Sequence, residues 1–179
     1  MHTAAGQAMQ LQSPVGPVAL FAIEDPVVGD RILVDFDALD WMEEDDPVVA
    51  HPRDPFHRID AHPTGRHLVL SIGGVTVVDT VRSTMLAETN LPLRWYVPPE
   101  DVRVPLVPSS TVTWCAYKGR ATYSSVLVGD ALIPDLAWTY SEPLRDATEV
   151  RGLLGFFAER TDGLVDGAPL PRTAMAPPS

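Results

Sequence analysis

Cysteine is nearly absent: Cys115 is the one thiol in 179 residues. That count rules out an intramolecular disulfide and a four-cysteine zinc site, and it suits a reducing cytoplasm. Basic side chains are also scarce, thirteen Lys and Arg against twenty-four Asp and Glu, and the resulting net charge of −11 opposes a phosphate backbone. Nucleic acid is not expected as a partner. No long hydrophobic run is present either. The apolar stretch from Val15 to Ile23 is broken by Gly16 and Pro17 and is far short of a bilayer span. The residues before it carry no Lys or Arg, so neither an anchor nor a secretion signal is expected. Of the five histidines, His51, His57, His62 and His67 follow no ligand spacing, so neither a metal nor any other cofactor is expected.

Turn formers, in contrast, are abundant. Eighteen prolines and twelve glycines divide the chain into short apolar runs, a spacing that predicts strands rather than long helices. Leu68, Leu70 and Ile72 alternate up to Gly73-Gly74, and Val75-Thr76-Val77-Val78 returns, which predicts a hairpin over 67–78. Residues 111–133 read as three antiparallel strands with turns near Lys118-Gly119 and Gly129-Asp130. Arg94-Trp95-Tyr96-Val97 reads as a strand ended by Pro98-Pro99, whose rings remove ladder donors.

Two helices are expected. Ser83 to Glu88 has the form of a capping box, and Asp35 to Asp46 places Phe36, Leu39 and Met42 on one face before Pro47 stops it. Residues 1–14 and the proline-rich tail from 168 to 179 read as disordered, and 51–63 as a linker whose Phe56 and Ile59 seek burial. One echo stands out. Arg31-Ile32-Leu33-Val34-Asp35-Phe36-Asp37-Ala38 matches Arg151-Gly152-Leu153-Leu154-Gly155-Phe156-Phe157-Ala158 at four positions, the mark that duplication leaves.

Arg94 to Val102, Thr111 to Gly119, Trp138 to Pro143 and Val165-Asp166-Gly167 occur in an order that resembles the bacterial family called domain of unknown function 427, over residues 66–167. The resemblance implies a mainly β fold, an antiparallel body similar to the β-tent folds whose sheets splay around a groove, here with a helical connector extension at 15–65. Related actinobacterial proteins look like tandem copies, which makes this chain similar to a C-terminal copy preceded by the tail of a first one. The family is also described as nucleotidyltransferase-like, but Asp35 and Asp37, which form an Asp-x-Asp pair, lie outside the matched region without a Gly-Ser loop before them.

Cys115 and Lys118 lie three apart at a turn, where an ammonium would favour thiolate, and Glu88 is a candidate base. Arg82, Arg94, Tyr96, Tyr117, Trp138 and Tyr140 are candidate ligand contacts in an aromatic groove. Two classes remain open. One is a small-molecule-binding or protein-interaction module; the other is a transferase or hydrolase using Cys115, Lys118 and Glu88.

Overall fold

The computed structural model describes residues 5–14, 16–27 and 29–171. It divides into two compact units, Met1–His51 and Pro52–Ser179.

In the first unit, β1 (Gly6–Ser13), β2 (Gly16–Asp25) and β3 (Gly29–Val34) form an antiparallel meander, with Leu11 opposite Val18 and Leu20 opposite Val34. The strand β1 overturns the expectation of disorder before residue 15, because it pairs along its whole length with β2, which satisfies the backbone groups on that edge. The expected helix over 35–46 is absent as well. Only Phe36–Ala38 make a single 3₁₀ turn, followed by the short hairpin of β4 (Met42–Glu43) and β5 (Asp46–Pro47). Trp41 explains the difference in part: its ring stacks on Phe36 at 5.6 Å and its Nε1 donates to the Phe36 carbonyl at 2.8 Å, folding the chain back. Asp37, Asp40, Glu43 and Glu44 would also have repelled one another at helical spacing.

The second unit contains two antiparallel sheets. The larger has seven strands: β6 (Ile59–Thr64), β9 (Ser83–Glu88), β10 (Arg94–Val97), β11 (Leu106–Cys115), β12 (Gly119–Val128), β13 (Ala131–Thr139) and β14 (Leu154–Phe156), in the order β11-β12-β13-β14-β10-β9-β6. The smaller, β16-β15-β7-β8, uses β7 (Leu68–Ile72), β8 (Val75–Thr80), β15 (Asp162–Val165) and β16 (Ala168–Pro169). The hairpin at 67–78 and the strands across 111–133 form as expected, and Gly73 and Gly74 take φ of +55° and +81°, the left-handed turn only glycine adopts freely.

Ser83 to Glu88 is β9, not a helix. It pairs with β6 on one side and β10 on the other, and a strand flanked on both edges outweighs a local cap signal. The expected tail begins with β16, which pairs with β15; residues 172–179 lie outside the described residues. The linker does not bury Phe56, which is 88% exposed, although Ile59 packs against the sheet.

Each face of the large sheet buries its own cluster. Trp95 and Val97 of β10 join Leu68, Leu70, Val77, Val78 and Phe156 between the two sheets. Tyr96 points the other way, as alternation demands, and packs with Leu86, Ala121, Trp138 and Tyr140 under the 3₁₀ segment Arg145–Val150. The second face carries the site. No helix among the described residues is long and apolar enough to cross a membrane.

Candidate functional site

Tyr123, Trp138, Gly155 and Tyr96 lie in one row across four adjacent strands, each opposite the next. Gly155 supplies the space. A Cβ there would come within 2.6 Å of the Trp138 ring, so only glycine lets the indole lie across β14. Trp138 thereby reaches Tyr96, and its Nε1 donates to the Tyr96 hydroxyl at 3.1 Å with the rings edge to face at 86°. Phe157 packs on Trp138 at 4.6 Å and stacks with Tyr123 at 6.5 Å. These rings wall a cleft of about 150 Å³, completed by Glu88, Leu91, Arg94, Lys118 and Tyr140.

The cleft's charges are paired. Lys118 Nζ donates to Glu88 Oε2, and the two side chains are only 9% and 5% exposed. The other carboxylate oxygen, Oε1, lies 3.1 Å from His57 Nε2. Arg94 grips Glu159 through both ends of its fork, at 2.7 and 3.1 Å, while its guanidinium lies 5.6 Å from the Trp138 and Phe157 ring centres. Burial pushes the Glu159 carboxyl up, but the Arg94 hydrogen bonds and charge win, holding it below the usual carboxylate range. Burial raises both the Tyr96 and the Tyr140 phenols, so each stays protonated. The Tyr140 hydroxyl makes no hydrogen bond to another described residue.

The segment before β6 braces this arrangement from behind. His57 stacks on Tyr117 at 3.8 Å, the Asp54 amide donates to the Tyr117 hydroxyl at 2.7 Å, and Arg53 Nε donates to the Ala116 carbonyl at 3.1 Å. The turn at 116–118 is therefore held against the loop that supplies His57. Gly119, at φ +89°, ends that turn with Leu144 packed over it.

Six of the nine candidates from the sequence line this one cleft: Glu88, Arg94, Tyr96, Lys118, Trp138 and Tyr140. Tyr117 instead faces the bracing loop. Arg82 stands in the β8–β9 turn, where it binds Asp101 at 2.6 Å and Glu100 at 3.3 Å and holds the Asp101 carboxyl below its usual range. Cys115 ends β11 opposite Gly119 and is not among the lining residues. The ammonium expected to act on its thiol is engaged by Glu88. His57, Tyr123, Phe157 and Glu159 escaped the sequence reading. Phe157 falls in the echo segment, but nothing in a proline-rich linker marks His57. Among the described residues no group of three or more His, Cys, Asp or Glu could hold a metal ion.

A family model described as a domain of unknown function, DUF427, matches residues 60–167. No curated protein matches the chain. The match runs from β6 through the end of β15 and takes in every residue lining the cleft, and by it the chain belongs to the DUF427 family.

Proposed function

We propose that the cleft binds a small, flat organic ligand and that binding, not catalysis, is its work. One observation carries the reading: a buried Lys118–Glu88 ion pair faces a chamber walled by five aromatic rings together with Leu91 and Arg94. Lysine has three donors and Glu88 takes one, so the ammonium retains hydrogen-bonding capacity, as does the Tyr140 hydroxyl, which bonds to no other described residue. A buried ion pair adds little to stability compared with apolar residues of the same size, which makes a recognition role the better reason for it. At about 150 Å³ the cleft is below the roughly 300–1,000 Å³ of drug-sized sites, so one ring or the end of a larger molecule fits. Against the transferase or hydrolase alternative stands the position of Cys115 outside the lining.

The test is a fragment titration followed through the Trp138 indole Nε1–H resonance. Fragments that shift it should bind Tyr140→Phe about 3- to 10-fold more weakly, the worth of one hydrogen bond, and Cys115→Ala unchanged. Fragments that leave the indole resonance untouched while shifting residues elsewhere would place binding outside the cleft.

We infer further that the first unit is the back half of an earlier copy of the same domain. The order β1-β2-β3, 3₁₀ turn, β4-β5 repeats β12-β13-β14, 3₁₀ turn, β15-β16, apart from the additional 3₁₀ segment Arg145–Val150 between β13 and β14. Glu44 and Asp166, which open the two final hairpins, have φ of +54° and +51°. An experimental structure in which these strands failed to superpose in that order would overturn the reading.

A further inference from the structure

The lining of the cleft contains two cations, and each is already matched. Lys118 closes on Glu88, and Arg94 closes on Glu159 through two hydrogen bonds. The phenols of Tyr96 and Tyr140 are protonated, and Tyr123 shares its hydroxyl with Thr113 at 3.0 Å. His57 stands behind Glu88 and does not line the cleft. The chamber thus presents polar groups without net charge. A charged ligand would surrender its hydration here and meet no unmatched opposite charge, whereas a neutral one loses much less.

The polar groups also have a direction. Tyr96 accepts from Trp138 and keeps its O–H to donate, the Tyr140 O–H bonds to no other described residue, and Lys118 has N–H groups left over. Donors dominate, and the Glu88 carboxylate beside them is the acceptor. Resting on the binding reading above, we propose that the ligand is a neutral aromatic or heteroaromatic amide, its ring against Trp138 and Phe157, its carbonyl oxygen toward Lys118 and Tyr140, and its N–H toward Glu88.

Three probes of nearly the same shape separate the choices: benzamide, benzoate and benzylamine, which are neutral, anionic and cationic at pH 8, above the ordinary titration range of imidazole. Each is titrated into the full chain and followed by the Trp138 indole resonance. Benzamide is expected to bind about tenfold more tightly than either charged analogue. Removing one anion should then reverse the preference, because it leaves a lining cation unmatched. Glu159→Gln frees Arg94 and Glu88→Gln frees Lys118, so each should bring benzoate level with or ahead of benzamide, and two separate sites guard against one variant failing to fold. Benzoate or benzylamine binding the unaltered protein as well as benzamide would overturn the neutral-amide proposal while leaving the binding cleft intact. If no probe moves the indole resonance, the binding reading fails and takes this proposal with it.

Discussion

The Lys118 ammonium bonds to Glu88 across 30 residues of sequence, and both side chains are almost wholly out of solvent. Neither partner can be removed alone without burying the other's charge. Lys118→Met should therefore destabilise the protein by about 3–5 kcal/mol, the usual loss when a buried pair is broken on one side. The double variant Lys118→Met/Glu88→Leu should recover much of that loss, as measured by urea unfolding. A double variant no more stable than the single one would mean that the pair contributes through something other than mutual charge compensation.

Gly155 is the hinge of the aromatic row, since its missing Cβ is what lets the Trp138 indole cross the strand. Gly155→Ala should displace the indole, break its hydrogen bond to Tyr96 and cost about 1–3 kcal/mol, the range for overpacking a tight core. A large shift of the Trp138 Nε1–H resonance together with a lower urea midpoint would be the expected result. An unmoved resonance would show that the strand, and not the ring, gives way.

How much of this could be read in the sequence depends on where each signal resides. The hairpin at 67–78 and the end of β10 at Pro98-Pro99 are local: alternation, a Gly pair and missing donors suffice. Strand β9 is hidden from a local pattern because its opening Ser and closing Glu mimic a helix cap, while its pairing with β6 and β10 involves residues outside its own segment. The convergence of Glu88 with Lys118 likewise depends on the order β12-β13-β14-β10-β9, which no local pattern encodes. In the first unit the spacing of Phe36, Leu39 and Met42 fits a helix, but the Phe36–Trp41 stack and the neighbouring acids favour a folded-back hairpin.

The Arg94–Glu159 pair gives a pH dependence of definite sign. The Glu159 carboxyl is held below its ordinary value of 4.5, so the native state favours the charged form. Its contribution is fully present above about 4.5 and is lost as the pH falls through the lower native value. Unfolding free energies measured by urea from pH 6 down to about 3 should fall less steeply in Glu159→Gln than in the unaltered protein. Equal slopes would mean that Arg94 does not hold Glu159 in solution as it does here.

The start of the second unit can be located by truncation. The sequence pattern put the domain boundary at residue 66, whereas the compact unit begins at Pro52. Between the two lie Arg53, Asp54 and His57, which bond to Ala116, Tyr117 and Glu88, and all of β6, which pairs with β9 over six residue positions. A chain of residues 52–179 retains these contacts and should unfold cooperatively, with the urea midpoint that the Trp138 indole resonance reports in the full chain. A chain of residues 66–179 exposes the edge of β9, leaves Glu88 without its imidazole and removes the brace from the turn at 116–118. It should show a lower midpoint and a Trp138 indole resonance displaced from its position in the longer chain. If residues 66–179 instead unfold like residues 52–179, the bracing loop and β6 are dispensable to the cleft, and the Lys118–Glu88 pair is held by the turn alone.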